Sequence, residues 1–441
     1  MTMPAAITPS LAGRVPGGRR EPAWLREARE QGLARFGELG LPTRKHEEWK
    51  YTSLSALAPI LAAPAAPAEG RDPRALLGRA PHAGGPRLVF ANGRFRADLS
   101  SPGPLPSGVA VVPLSEALAQ MPERVRPHLG RLAPPAGDHA LVALNAALFE
   151  EGAFVWLPAG VEVEAPIEVV WLSDAPGAGT VACPRLLVVA GEGARAAVAE
   201  VFLGEGADAY LVNAVTEAVL AGGARIEHHR LQAEGDGALH LSSLHAEEGA
   251  GARLAAHQLA LGAALGRSEA RVRLAGEGGE VALSGLYMGS GVQVLDNVSL
   301  VEHAVPRCTT SENYKGILDG KARGIFSGRI RVLPGAQKTQ AYQMSSNLLL
   351  SDDATVDTRP QLEIFADDVK CGHGGTVGQI DETALFYLRS RGLDLAQARG
   401  LLIYAFASEM VDLVRPAALR AGARDLVAAR LPAGARLLEA A

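Results

Sequence analysis

Residues 210–251 read YLVNAVTEAVLAGG, ARIEHHRLQAEGDG and ALHLSSLHAEEGAG, and this stretch decides the fold class. Short apolar runs rich in Val, Leu and Ala stop at clusters of Gly, Asp and Glu, at the roughly 8–12-residue spacing of successive strands and turns. The same texture extends upstream through FVWLPAGVEVEAPIEVVWL (154–172), RLLVVAG (185–191) and ARAAVAEVFLG (194–204). Downstream it continues through EARVRLAGEGG (269–279), EVALSGLYMG (280–289) and VQVLDNVSLVEH (292–303). Val161, Val163, Ala165, Ile167 and Val169 alternate with other residues, the period of a half-buried strand. No helix-length segment interrupts residues 152–380, which excludes a βαβ fold. A sandwich, a barrel and a β-solenoid remain open. The abundance of small residues and the steady spacing without hairpin dipeptides favour the solenoid, although no strict sequence repeat is visible.

The flanks read differently. In residues 21–65, Leu25, Ala28, Leu33, Phe36 and Leu39 form a helical stripe that Gly40 and Pro42 end. An Ala/Pro-rich stretch near 58–75 reads as a linker or exposed loop. Residues 87–112 hold two or three short strands, and 138–150 a short apolar helix. Near the other end, Leu395, Ala398, Leu402, Phe406, Met410 and Leu413 share a helical face, with Ile403, Tyr404 and Val411 off it. That wide apolar surface suits either two packing partners or a helix simply buried in its own domain. The expected organisation is a flexible tail (1–20), a mainly helical N-terminal domain with a few short strands (21–150), the β-region (151–381) and a C-terminal helical domain (382–441).

Of the 441 residues 48% are hydrophobic, and 43 basic against 48 acidic residues leave a net charge of −5. A nucleic-acid reader needs a basic face, and no basic run is present. No apolar run reaches the roughly 18 residues of a membrane span, and the first twenty residues lack a signal peptide's apolar block. Three cysteines, Cys183, Cys308 and Cys371, are too few for a disulfide framework, so a reducing, cytoplasmic setting is expected. They also fall short of the roughly four thiolates that a conventional iron–sulfur cluster needs. The six lysines (Lys45, Lys50, Lys315, Lys321, Lys338 and Lys370) cluster in two regions of a chain that otherwise uses arginine. The clustering makes them candidates for a specific requirement, and chance clustering fits equally well.

Gly191-Glu-Gly-Ala-Arg-Ala196 mimics a dinucleotide-binding fingerprint but lacks the helix that would hold a pyrophosphate. No P-loop, HExxH, CxxC or GxSxG occurs, so the chain is not expected to hydrolyse nucleotide itself. His228 and His229 would point to opposite faces of a strand. With His240, His245 and His257 they are expected on the surface of the β-region. Cys183 reads as inert core, and Cys308 has no neighbours of ligand type. The most suggestive stretch is PQLEIFADDVKCGHGG (360–375). If it is extended, Val369, Cys371 and His373 share one face, with Cys371 and His373 about 6.5 Å apart along the strand. A thiolate and an imidazole so placed can both face a soft or borderline metal. They equally suit buried packing neighbours, and two donors do not make a complete site.

Three segments carry a family resemblance: LPTRKHEEWKYTSL (41–54), AYQMSSNLLLSDDATVDTRPQLEIFADDVKCGHGGTVGQIDETALFYLRSRGL (341–393) and ARGLLIYAFASEMVDLV (398–414). They resemble the SufB/SufD family of the SUF iron–sulfur cluster assembly machinery. The single Cys-Gly-His-Gly motif and the scarcity of cysteine are closer to its SufD branch than to SufB. Gly372 and Gly375 depart from the small residues Ser or Ala common at those places. The resemblance implies a right-handed parallel β-helix flanked by helical N- and C-terminal domains, acting as a non-catalytic scaffold. It implies a SufB-like paralogue as partner, and a SufC-like ABC ATPase bound through the C-terminal helices. It also implies a transient iron or iron–sulfur cluster at a site shared between subunits, with His373 and the supporting Cys371 as candidate ligands. The family's complex is associated with reduced flavin, for which this sequence carries no fingerprint, and a homodimer of the isolated chain is a further expectation. Two rival readings remain. One is a stand-alone β-helix carbohydrate-active enzyme using Asp367, Asp368, Lys370 and Arg329, and the other is a metal-free structural homodimer.

Overall fold

The computed structural model describes residues 7–17, 21–63, 72–174 and 179–431. Its centre is a parallel β-helix of about eight turns, in which each turn gives one strand to each of two facing sheets. The first sheet stacks Glu162–Ser173, Arg195–Gly204, Arg225–Ala233, Arg253–Ala260, Glu280–Gly289, Thr309–Leu318, Gln340–Leu349 and Lys370–Gly378. The second stacks Gly152–Leu157, Arg185–Ala190, Tyr210–Leu220, Ala238–Glu248, Leu265–Leu274, Val294–His303, Arg323–Val332 and Thr355–Ile364. At the N-terminal end Arg87–Ala91 adds to the first sheet in parallel, and Ala110–Pro113 adds antiparallel to the second.

In-register pairing stacks like positions into columns that run along the solenoid. Ala196, Ile226, Leu254, Val281, Thr310, Ala341 and Cys371 form one inward column of the first sheet. The turns that feed this sheet are tight. Gly193, Gly223 and Gly251 each adopt a positive φ there, which favours glycine. The next residue, Ala194, Ala224 or Ala252, is fully buried. The dinucleotide-like Gly191–Ala196 stretch is one of these turns, and it leads into a strand.

Both faces of each sheet are covered along most of the solenoid, so its strands read as near-continuous apolar runs. Inward side chains such as Val198, Phe202, Tyr287 and Phe326 make the central core. Helices Ala23–Leu39 and Ala140–Leu148 belong to the N-terminal cap that covers the second sheet. They cross closely at Gly32, where a Cβ would lie 2.7 Å from the Ala143 carbonyl oxygen. Helices Leu395–Val411 and Ala417–Ala428 cover the first sheet, laying Ile403, Ala407, Met410 and Val411 on a layer that includes Leu231, Leu259 and Leu286.

Several expectations are corrected. The segment read as a loose tail contains helix Ile7–Ala12, and Leu11 is buried in the N-terminal core. The linker stretch begins with helix Leu57–Ala62, whose Leu57, Ile60 and Leu61 are buried, and its residues 64–71 lie outside the described residues. Helix Leu395–Val411 opens with a capping box between Asp394 and Gln397, and it seats on a face rotated from the one expected, with which its buried residues share only Ala398 and Met410. Ala398, Gly400, Ile403, Ala407, Met410 and Val411 are buried, whereas Leu395 and Leu413 are exposed. The small residues on the buried side let the helix lie close to the sheet, which turns bulky leucines outward.

Candidate functional site at the open end of the solenoid

The first and last turns differ in cover. Strand Gly152–Leu157 is buried at five of its six positions, while no residue of Thr355–Ile364 or Lys370–Gly378 is buried. The last two strands pair on one side only. Their free edges present backbone N–H and C=O groups that can add a further strand. Around them stand the exposed apolar side chains Tyr342, Met344, Ile364, Phe365 and Val377.

Cys371 and His373 lie in this last strand. Register places Cys371 on Ala341 and His373 on Gln343, so both face inward as the extended reading expects. Val369, just before the strand, and Cys371 pack partly buried against the central core, while His373 is exposed. Gly374 faces the other way, toward Met344, whose Cε would lie 2.9 Å from a Cβ at that glycine. Burial pushes the Cys371 thiol above its ordinary value, with a backbone hydrogen bond from Ala341 opposing the shift. A metal would have to displace that proton. Among the described residues, no group of three or more His, Cys, Asp or Glu side chains is placed to hold a metal ion.

Beneath His373 the interior is polar. Gln343 and, one turn further in, Glu312 occupy its column, and both are buried. Gln343 Nε2 donates to Glu312 Oε2 at 3.1 Å, and Ser299 Oγ donates to the same oxygen at 2.8 Å. Burial pushes the Glu312 carboxyl up to about 7. The sequence reading missed both residues.

The other sequence candidates are located elsewhere. Cys183 is buried and its thiol is pushed up to about 12 by desolvation, which suits inert core. Cys308 is also fully buried, in the turn position that alanine fills in earlier coils. The histidines expected on the surface are buried instead. His228 faces inward, where it and Arg230 bond Glu200; burial alone would raise the Glu200 carboxyl, but they hold it well below the carboxylate range. His229 faces outward yet stacks on His257, ring centroids 5.2 Å apart. Both sit under the C-terminal helical cover, so strand alternation leaves them no solvent side. Of the lysines, Lys315 is buried: its Nζ lies 4.4 Å from the Phe406 ring centroid, 3.3 Å from the Phe406 carbonyl oxygen and 2.6 Å from Glu409. The four residues of the carbohydrate reading do not converge. Asp368 pairs with Lys338 at a turn, while Arg329 bonds Gln361 on the outer face of the second sheet.

A groove of about 1090 Å³, with neither Cys371 nor His373 in its lining, runs between the first sheet and the Arg415–Ala418 segment. Arg195, Arg253 and Arg415 on its walls are answered by Glu162, Glu280 and Glu227 at 3.8, 3.1 and 2.8 Å. That balance favours no ligand charge.

Comparison with known proteins matches residues 172–406 to the family described as SUF system FeS cluster assembly, SufBD core domain, and residues 81–169 to the SufBD protein N-terminal region. The chain belongs to the SufB/SufD family. An iron–sulfur cluster assembly SufBD family protein of Synechocystis is 33% identical over 91% of this chain and 90% of its own length. The iron–sulfur cluster assembly protein SufD of Escherichia coli is 32% identical over 92% and 93%, and its Bacillus subtilis namesake 27% identical over 89% and 91%. The SufBD core match runs from the first turn of the solenoid through the open end into the C-terminal helices. No helix among the described residues is long and apolar enough to cross a membrane.

Proposed function

We propose that this chain is a non-catalytic scaffold subunit of a SUF iron–sulfur assembly machine that lends an incomplete ligand set to a site finished by a partner. The observation that carries the reading is the uncovered last turn, where His373 and Cys371 face inward at a free double edge. A SufB-like paralogue with the same solenoid would continue both sheets across that edge and bring the missing donors. Nascent cluster, or the iron for it, is then the cargo of the shared site, with the His373 imidazole and the Cys371 thiolate as this chain's ligands.

A second surface suits a second partner. Helices Glu382–Ser390 and Leu395–Val411 leave Phe386, Tyr387, Leu395 and Leu401 exposed, with Phe386 75% accessible, and Leu413 is exposed just beyond the second helix. An apolar patch of this kind fits a docking site. A SufC-like ATPase seated there would supply the nucleotide chemistry that this chain's sequence lacks. Lys315 ties the same helix to the solenoid, which gives motion of the ATPase a route into the sheet.

Co-expression with the paralogue and the ATPase tests the proposal. The His373→Ala complex should assemble in normal stoichiometry yet build cluster at least about tenfold more slowly, followed by visible absorption during reconstitution. Unchanged cluster formation by that complex removes the ligand role. A chain that purifies without either partner removes the scaffold role.

A further inference from the structure

The polar pair beneath His373 has two oxygens without partners. Gln343 directs its Nε2 to Glu312, yet its Oε1 has no hydrogen-bond partner, and neither does Glu312 Oε1. Gln343 is only 2% exposed, so water does not readily satisfy that carbonyl. Space for the pair is kept by Gly328 on the facing sheet. A Cβ there would lie 2.7 Å from Gln343 Nε2 and 3.0 Å from Glu312 Oε2. An apolar core would place a larger residue at such a position, whereas here glycine leaves room for an amide and a carboxyl.

The amide is held in one orientation, because its N–H side is committed to the carboxyl that Ser299 also fixes. Its carbonyl oxygen is therefore the acceptor available to the next coil. The residue in register on that coil is His373, one strand spacing of about 4.8 Å away. A neutral imidazole offers one N–H and one lone pair. A ligating histidine generally gives its N–H to a fixed oxygen, which selects the tautomer and aims the lone pair.

We infer that Gln343 is a positioning residue for His373: its Oε1 accepts the ring N–H, Glu312 keeps the amide from flipping, and the other ring nitrogen is left facing the open end as donor. This rests on the reading of His373 as a ligand and assigns the residues that aim it.

The test uses the full chain labelled with ¹⁵N-histidine, with the His373 signal assigned by its loss in His373→Asn. The intact chain should show one neutral tautomer at His373, and Gln343→Leu should show a mixture. Circular dichroism confirms that each variant is folded. In a cobalt(II) titration followed by visible absorption, Gln343→Leu should bind about tenfold more weakly than the intact chain. An unmoved tautomer in folded Gln343→Leu overturns this inference and leaves the ligand role standing. Unchanged cobalt affinity in His373→Asn overturns the ligand role, and this inference with it.

Discussion

The two ends of the solenoid are built from the same coil and finished in opposite ways. At the closed end, buried carboxylates tie each sheet to the N-terminal region. Glu217, on the outer face of the second sheet, accepts from Arg185 and from the backbone N–H groups of Gly130, Leu132 and Ala133. Glu168, in the first sheet, accepts from Arg87 and from the Ala83 N–H. At the open end the last strands carry no cover, and the polar groups there face the edge or the interior. A solenoid needs a cap at each terminus to remain single. Among the described residues one end is capped with this much buried polar bonding while the last two strands are left uncovered, and the partner proposed above would supply the second cap.

The largest effect should come from breaking the closed end. Glu217→Ala leaves Arg185 buried and three backbone donors unpaired, which should cost about 3–5 kcal/mol in urea unfolding. If the loss is below about 1 kcal/mol, the cap is not held by this carboxylate.

The open end should instead respond to pH through Glu312. Burial raises this acid from its ordinary 4.5 to about 7, so the folded chain keeps a proton that the unfolded chain has already released. Its contribution to stability is therefore fully present below about 4.5, falls as pH rises toward 7, and levels off above. Glu312→Gln should remove that slope and gain up to about 3 kcal/mol over the parent at pH 8, measured by urea unfolding across pH. Parallel pH profiles for the two proteins would show that the carboxyl is not held neutral.

Smaller effects distinguish helix attachment from edge chemistry. Lys315→Met keeps most of the packing but loses the bonds to Phe406 and Glu409, and should cost about 1 kcal/mol. Hydrogen exchange should rise first in helix Leu395–Val411. Val377→Asp, at the uncovered edge, should change the chain's own stability by no more than about 0.5 kcal/mol. The same change should weaken association with the paralogue by about 30-fold or more, read by analytical ultracentrifugation. If it unfolds the chain instead, the edge belongs to the core and the contrast between the ends fails.

The strand texture of residues 152–380 made the solenoid legible, and the Cys371–His373 spacing gave the shared inward face. A local repeat was overlooked: Gly-Ala-Arg recurs at 193–195, 223–225 and 251–253, each time at the turn into the first sheet. Aligning the coils on it leads toward the column that ends in Glu312, Gln343 and His373, where spacing along the chain gives no hint of contact. The buried histidines were misread for a related reason. Alternation predicts one wet face only when one face is bare, and helices distant in sequence cover the outer side of His229 and His257. The face of Leu395–Val411 is shifted for a similar reason, since hydrophobicity alone does not show that Gly400 and Ala407, beside the expected Ala398, mark the side of closest approach.

The in-register stacking has a geometric consequence for an assembly of this kind. Each coil advances the axis by one strand spacing, about 4.8 Å. Helix Leu395–Val411 rests on strands Glu280–Gly289 and Thr309–Leu318, only three and two strands of the first sheet short of its last. The lever arm between the helical pad and the histidine is therefore fixed in whole coils, and inserting or deleting one coil between them would reset it by a single, known step.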